Sequence, residues 1–340
     1  MTKCLTIIIL FNIFYFIGCK SHEESKMTHY IKQEGDTLTF FGSVKSVQTV
    51  NYEAINSLGN ITKGQIISNQ FNPSQESLTF DADGVIIKTS EIHSSGLILE
   101  STFENGDLIE LRGYKNGNLI ELTLFKRVKK IVTERKVYLD STLFEFEKST
   151  LDKNGKVSKI ESFDKEGNTR WTQYAKYYYE QSFLAKEEWF NDKNDLVSQR
   201  EYDKFGNKIK SIEVLTEIHS KKKDTTYKTF EYSNNKLIGE TTSKSGFLKA
   251  IQSTKYVYNA LGKLIKTATL DKNGLPSETY IANYDKFGNL ISYKFIGNPF
   301  QDEIEHTIAY EFDKNNNWIK SIEMKGIVPV QITERQIEYN

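Results

Sequence analysis

Tyr202-Asp203-Lys204-Phe205-Gly206-Asn207 is the clearest copy of a short pattern that occurs ten times in this chain of 340 residues. The pattern is an aromatic residue or Leu, then Asp, two variable residues, Gly, and usually Asn or Lys. Self-similarity of this kind describes the whole fold rather than one site. Copies with both Asp and Gly begin at Phe80, Leu151, Phe163, Tyr202, Leu270 and Tyr284. Copies in which Asn, Ser or Lys replaces one or both of these residues begin at Phe190, Tyr232, Tyr258 and Phe312.

The conserved positions of the pattern have the chemistry of a tight turn. Asp at the first and Gly at the fourth position of a four-residue turn is typical of type I turns. The carboxylate can accept a hydrogen bond from the backbone N–H two residues on. Gly, or Asn as second choice, adopts the left-handed conformation at low steric cost. A metal or catalytic site would tolerate the observed replacements poorly, so the pattern predicts turns.

Residues beside the turns alternate in polarity with a period of two, as in Ile308-x-Tyr310-x-Phe312 and Ile291-x-Tyr293-x-Phe295. Such alternation indicates half-buried strands. The Asp positions lie 12 residues apart in the pairs 152/164, 191/203 and 259/271, which fits one turn and one strand. We therefore predict an all-β fold, a long antiparallel meander of repeated β-hairpins. A sheet this long must twist, so we expect it to curl into an open barrel or half-pipe.

These motifs resemble the YD repeats of Rhs-type and teneurin-type proteins, and more closely those of YD-repeat-like bacterial lipoproteins, whose copies often carry Trp after the turn. Asn316-Asn317-Trp318-Ile319-Lys320 is similar to such an ending. The resemblance covers about residues 75–340. The chain lacks the Gly-Arg-rich copies of the large Rhs proteins and is too short for their closed shell, so the resemblance does not imply encapsulation.

The N-terminus has the features of an export signal. Lys3 precedes an apolar run from Leu5 to Ile17, which is short for a membrane-spanning helix. Phe16-Ile17-Gly18-Cys19 resembles a lipobox, which implies cleavage after residue 18 and lipidation of Cys19. A buried helix or an uncleaved anchor is the alternative. We predict a signal peptide over residues 1–18, a flexible tether over 19–36, and an exported protein attached to the outer membrane. Exposure at the cell surface and a periplasmic position are the two alternatives for the body of the protein.

Residues 37–340 are predicted to form one YD-repeat-like β domain, with the regular copies in 141–340. Only Cys4 and Cys19 are present, so the body after Cys19 cannot form disulfides, thiolate nucleophiles or Cys-ligated zinc sites. Formal net charge is zero, with 45 basic and 45 acidic residues, which gives no general attraction to nucleic acid. The segment Lys208–Glu213 puts charge on both faces of its strand, which disfavours an outer-membrane barrel.

No catalytic residue, metal site or cofactor is predicted. The five histidines are not at ligand spacing, and the nucleophile and phosphate-loop motifs are missing. A carboxylate pair for glycoside hydrolysis has no sequence signature and stays open. Trp171, Trp189 and Trp318 are candidate partner-binding aromatics, although core packing or cross-strand pairing would also explain them.

The first functional hypothesis is a non-enzymatic, lipid-anchored β-repeat scaffold of the cell envelope, held at the membrane through Cys19 and binding a protein or glycan. One alternative is an envelope hydrolase that uses carboxylates on the concave face of the sheet. The other is a toxin-immunity-type lipoprotein, which only the family resemblance suggests.

Overall fold

The computed structural model describes residues 27–33, 36–67, 73–93, 95–216, 223–245, 252–297 and 303–340. Every regular element in these ranges is a β-strand, and none of their residues forms a helix long and apolar enough to cross a membrane. The strands are β1 Met27–Gln33, β2 Asp36–Phe41, β3 Val44–Ser57, β4 Asn60–Ile66, β5 Gln75–Phe80, β6 Ile86–Ile92, β7 Leu97–Glu104, β8 Asp107–Lys115, β9 Asn118–Val128, β10 Ile131–Leu139, β11 Thr142–Leu151, β12 Val157–Phe163, β13 Thr169–Glu180, β14 Phe183–Asn191, β15 Leu196–Tyr202, β16 Lys208–Thr216, β17 Lys223–Ser233, β18 Lys236–Lys244, β19 Gln252–Tyr258, β20 Leu264–Leu270, β21 Pro276–Tyr284, β22 Leu290–Ile296, β23 His306–Phe312, β24 Trp318–Lys325 and β25 Val328–Tyr339.

The strands form a closed antiparallel barrel. From β5 to β25 each strand pairs with its sequence neighbours, and β3 closes the ring by pairing with both β25 and β5. The ring has 22 strands, and β4 pairs with the distal half of β3. The predicted all-β antiparallel meander is confirmed, but the sheet is closed rather than open. Strand twist brings the two ends of the meander together, and their pairing removes both exposed edges.

The predicted turn chemistry is confirmed. In the turn that begins at Asp203, the backbone N–H groups of Phe205 and Asn207 donate to Oδ1 of Asp203 over 2.8 and 2.9 Å. Gly206 supplies the positive φ of 85°. A pair of backbone–backbone hydrogen bonds also closes each turn, in which the N–H of the first residue donates to the carbonyl of the fifth and the N–H of the fourth donates to the carbonyl of the first. This pair is found in the turns that begin at Asp81, Asp152, Asp164, Asn191, Asp203, Asn259, Asp271, Asp285 and Asp313.

The copy that begins at Tyr232 does not form this turn, contrary to its assignment as a weakened repeat. Ser233 pairs directly with Lys236, which leaves a two-residue loop. Both loop residues, Asn234 and Asn235, have positive φ of 49° and 59°. This is the type I′ geometry that matches strand twist. Lys236 stands where the four-residue turn needs Gly or Asn, so the shorter loop forms instead.

Cross-strand pairing divides the strand side chains into two faces. Along β13, Tyr174 and Tyr178 are exposed, whereas Ala175 and Tyr177 on the opposite face are less so, and the same alternation recurs along β11, β17 and β23. Side chains converge on the inside of a curved sheet, so we assign the less exposed face as the concave face and the other as the convex face. The convex face carries charge in mid-strand, including the ion pair between Lys159 and Glu161.

The barrel is too wide to be filled by its own side chains. At about 4.8 Å between strands, its 22 strands have a perimeter of about 105 Å, equal to a circle roughly 34 Å across before strand tilt widens it. Nine described hydrophobic residues are buried, and six of them form one cluster around Phe40 of β2. The fold is therefore held by strand pairing and by contacts within each face rather than by a large central core.

The local cluster lies where β2 packs on the concave face. Phe40 of β2 contacts Val47 of β3 and Phe80 of β5, with the two Phe ring centroids 6.0 Å apart. β1 pairs antiparallel with β2. Residues 27–33, which were predicted to belong to a flexible tether, thus form a strand, because β2 supplies a partner within the same segment. The predicted signal peptide and Cys19 lie outside the described residues.

Candidate partner-binding face

Tyrosine hydroxyls on the concave face are anchored to backbone carbonyl groups in neighbouring strands. The hydroxyl of Tyr177 donates to the carbonyl of Val157 over 2.7 Å, and that of Tyr310 donates to Leu290 over 2.8 Å. In both pairs the acceptor lies 20 residues earlier in the chain. The spacing of 20 residues reflects the hairpin repeat, because in both cases it places the tyrosine hydroxyl beside the first residue of the preceding strand. These tyrosines therefore have a structural role that repeats along the barrel.

A first polar cluster lies on β13 to β15. Nη1 of Arg200 donates to Oε1 of Glu187 over 2.6 Å, and the Glu187 side chain is largely buried. Burial, with the Glu187 charge second, raises the pKa of Tyr177 to about 12 and raises that of Tyr202 above its usual range. Trp189 points to the same face two residues from Glu187. The cluster thus combines neutral tyrosines, one indole ring and a paired charge.

A second cluster lies on β21 to β24. Oε1 of Glu323 accepts hydrogen bonds from the hydroxyl of Tyr293 and from Nδ1 of His306, both over 2.7 Å. The rings of Tyr293 and His306 stack at 4.6 Å and 17°. Tyr280 and Phe295 continue the aromatic surface, with their centroids 5.0 Å apart. Burial, then the hydrogen bond to Glu323, raises the pKa of Tyr293, so its hydroxyl remains a donor at neutral pH.

Trp318 belongs to a third cluster, in which its ring is covered. The Arg335 guanidinium lies 3.3 Å from the Trp318 ring centroid, and the Tyr310 ring lies 5.6 Å away on a tilt of 52°. This cation–π contact is close and half-buried, a setting in which such contacts stabilise a fold by about 1–2 kcal/mol. Trp318 is therefore engaged in packing within the chain.

The three predicted tryptophans share the concave face, but the structure does not bring them together. Trp171 on β13 is 38% exposed. Trp189 on β14 pairs with Ala175, four residues from Trp171, which places the two side chains roughly 13 Å apart along the strands. Trp318 lies ten strands further along the chain. Sequence analysis missed the cluster of Tyr293, His306 and Glu323, because only strand register brings these residues together.

Candidates for catalysis and metal binding are weak among the described residues. The carboxyl groups with a clear pKa change are lowered in every case: Asp164, Asp203, Asp271 and Glu188. Burial acts to raise the pKa of Glu188, but hydrogen bonds from Lys186 and Tyr178 outweigh it. A general acid would need the opposite change. No group of three or more His, Cys, Asp or Glu in the described ranges could hold a metal ion.

Three residues of the basic stretch Lys126–Lys130, namely Lys126, Arg127 and Lys129, line a cavity of about 740 Å³ at one rim of the barrel. Glu104, Asp107 and Glu110 line it as well, so the cavity is not uniformly basic. Lys126 pairs with Glu134 at 3.1 Å, and the Arg127 guanidinium donates to two backbone carbonyl groups. These charges are engaged within the chain.

No protein-family model matches the chain, and no characterised protein matches its sequence. Among solved structures, it is similar to a porin-like protein from Bacteroides uniformis ATCC 8492, with 10% identity over 87% of this chain and 98% of that one, at a TM-score of 0.26. A porin-like protein from Bacteroides vulgatus ATCC 8482 matches with 13% identity over the same shares, at a TM-score of 0.18. TarM matches with 13% identity over 34% of this chain and 18% of TarM, at a TM-score of 0.15. TM-scores this low support no conclusion about function, and the fold assignment rests on the strand pairing itself.

Proposed function

We propose that this chain is a non-enzymatic, lipid-anchored scaffold of the bacterial cell envelope, related to YD-repeat lipoproteins, that binds a protein or glycan on the concave face of its barrel. The observation that supports this most is the unfilled, wide barrel with aromatic and polar clusters along its inner wall. Large aromatic surfaces combined with a few placed polar groups are typical of binding sites.

The convex face favours a barrel that stands in water over one embedded in lipid. A transmembrane barrel needs an outward apolar band about 25 Å tall. Here the convex face carries mid-strand ion pairs, between Lys186 and Glu188 at 2.8 Å and between Lys210 and Glu201 at 3.1 Å. Charge at such positions is costly in hydrocarbon. Attachment to the membrane would therefore depend on the lipid at Cys19.

The anchor is tested by metabolic labelling with radioactive palmitate in the native host. We expect label on the wild-type protein and none on Cys19→Ser, which should leave the membrane fraction. Protease treatment of intact cells should release peptides from residues 37–340, which would place the barrel outside the cell. Equal labelling of both proteins would refute the anchor, and full protection would place the barrel in the periplasm.

Partner binding is tested by photo-crosslinking from the wall of the barrel. A photoreactive phenylalanine analogue replaces Trp171 or Tyr256 on the concave face, and Tyr227 on the convex face serves as the matched control. We expect specific cross-linked species from the concave positions only. If neither concave position forms a cross-link to any envelope component, the proposed binding role is wrong.

A further inference from the structure

We infer that the wall formed by β21, β22, β23 and β24 is a carbohydrate-binding site, with Tyr280 as the stacking platform and Glu323 and His306 as the hydroxyl-recognition groups. This inference rests on the proposed binding function of the concave face and names the chemical class of the ligand.

The first argument is the aromatic surface. The ring of Tyr280 lies 5.0 Å from Phe295 and 6.3 Å from Tyr293, and Tyr293 lies 5.9 Å from Phe295. The three rings line one patch of the concave face on two adjacent strands. The apolar C–H face of a pyranose ring stacks on such surfaces, and aromatic rings offer it at low conformational cost.

The second argument is the polar groups beside this surface. Glu323 uses Oε1 to hold Tyr293 and His306, and within the described residues its Oε2 has no hydrogen-bond partner. Nε2 of His306 and the hydroxyl of Tyr280 likewise have no hydrogen-bond partner among those residues. One carboxylate oxygen, one imidazole nitrogen and one phenol together offer both donors and acceptors, which is what the hydroxyl rim of a sugar requires.

The third argument is preorganisation. Tyr293, His306 and Glu323 fix one another through two hydrogen bonds and a stacked ring pair. The side chains of His306 and Glu323 are each 20% exposed, so they remain accessible without being mobile. A ligand that binds here does not have to order these groups, which lowers the entropic cost of association.

The contrast with the Trp318 cluster favours this wall over its neighbour. Arg335 covers one face of the Trp318 ring at 3.3 Å, and the Tyr310 ring packs 5.6 Å away, so that ring is already engaged within the chain. The charges also select the ligand: of the three available groups, the Glu323 carboxylate oxygen carries negative charge, which repels acidic polymers and accepts from neutral hydroxyl groups. The geometry therefore points to a neutral oligosaccharide rather than an anionic one.

The test uses the full chain in detergent and isothermal titration with cellohexaose, chitohexaose, mannohexaose and polygalacturonate. We expect at least one neutral saccharide to bind, and Tyr280→Ala to weaken it by about tenfold or more. Tyr227→Ala on the convex face is the control and should change binding by less than about twofold. Thermal unfolding checks that each variant is folded. Tyr280→Phe and Glu323→Gln keep the packing, and Glu323→Gln should weaken binding by about fivefold.

The inference is overturned if no neutral saccharide binds at about 10 mM, if polygalacturonate alone binds, or if Tyr280→Ala and Glu323→Gln both bind like the wild type. Failure of the inference is distinct from failure of the proposed function. Cross-links from the concave face to a protein, without saccharide binding, would retain the scaffold and reject the sugar site. Without saccharide binding and without concave cross-links, both would be wrong.

Discussion

Replacing Asn317 by Ala should release β2 from the turn between β23 and β24. The Asn317 side chain is buried, and its Oδ1 accepts from the Phe41 N–H over 2.7 Å. Its Nδ2 donates to the Phe41 carbonyl over 2.7 Å and to the Tyr339 hydroxyl over 2.8 Å. Tyr339 in turn donates to Asp313 in the same turn. One amide thus joins residues that are 276 positions apart in the sequence.

The cost follows from these three hydrogen bonds. Each contributes about 1 kcal/mol net, and the two backbone groups of Phe41 would lose their partner in a half-buried setting, which adds a desolvation cost. Asn317→Ala should therefore lower the free energy of local opening by about 2–4 kcal/mol. In hydrogen exchange, this corresponds to a rate at the Phe41 amide about 30- to 700-fold faster than in the wild type.

Asn207→Ala is the matched control. Asn207 occupies the same turn position after Asp203, but its Nδ2 donates only to neighbours at the rim, Asp203 at 2.9 Å and Asn235 at 3.2 Å. Exchange at the Phe41 amide should be unchanged in this variant. If Asn317→Ala accelerates that amide by less than about threefold, or by no more than Asn207→Ala does, the reasoning about the clamp is refuted.

Three further predictions concern the turns and the concave tyrosines. Gly206→Ala should cost about 1 kcal/mol in urea unfolding from its φ of 85° alone, because an added Cβ meets nothing within 4 Å, and Gly206→Asn should cost less; equal costs would contradict this. Hydrogen bonds from Asn207 and backbone N–H groups outweigh burial and lower the pKa of Asp203, so its contribution is present above about pH 4 and lost as pH falls further. The stability difference between wild type and Asp203→Asn should therefore shrink below pH 4, and a difference constant with pH would argue against this. Burial raises the pKa of Tyr177 to about 12, so stability should fall as pH rises from 10 to 12, and Tyr177→Phe should reduce that fall relative to the wild type.

The local structure was predictable because each turn carries its own chemistry. Asp203 and Gly206 specify a turn through hydrogen bonds and a φ value that involve only four or five residues. The alternation around Tyr293 then specifies which side chains share a face. Interactions between residues this close together can be predicted from a short stretch of sequence. Repetition of the turns then predicts the all-β antiparallel meander.

Closure of the barrel and formation of the binding wall depend on pairing between residues that are far apart in the sequence. Val47 of β3 pairs with Ile337 of β25, which lies 290 positions away, and no local pattern encodes that register. The twist at each strand pair adds up over the whole ring, so small differences decide between an open and a closed sheet. The wall of Tyr280, His306 and Glu323 depends on the register of four strands in the same way. Trp318 looked like an accessible aromatic for the same reason, since Arg335 covers it only after β24 and β25 pair.

Closure of the barrel matters for stability because little else covers the edges of the first and last strands of the meander. Each strand contacts mainly its two neighbours, as in repeat proteins, in which terminal units need a cap. An open meander of this sequence would expose the edges of β3 and β25, and exposed edges invite pairing with other chains. Pairing β3 with β25 makes each edge the cap of the other, and the Asn317 clamp adds β2 across the seam. The same closure produces the enclosed concave wall, so loss of the seam should lower both stability and ligand binding, whereas loss of Tyr280 should lower binding alone.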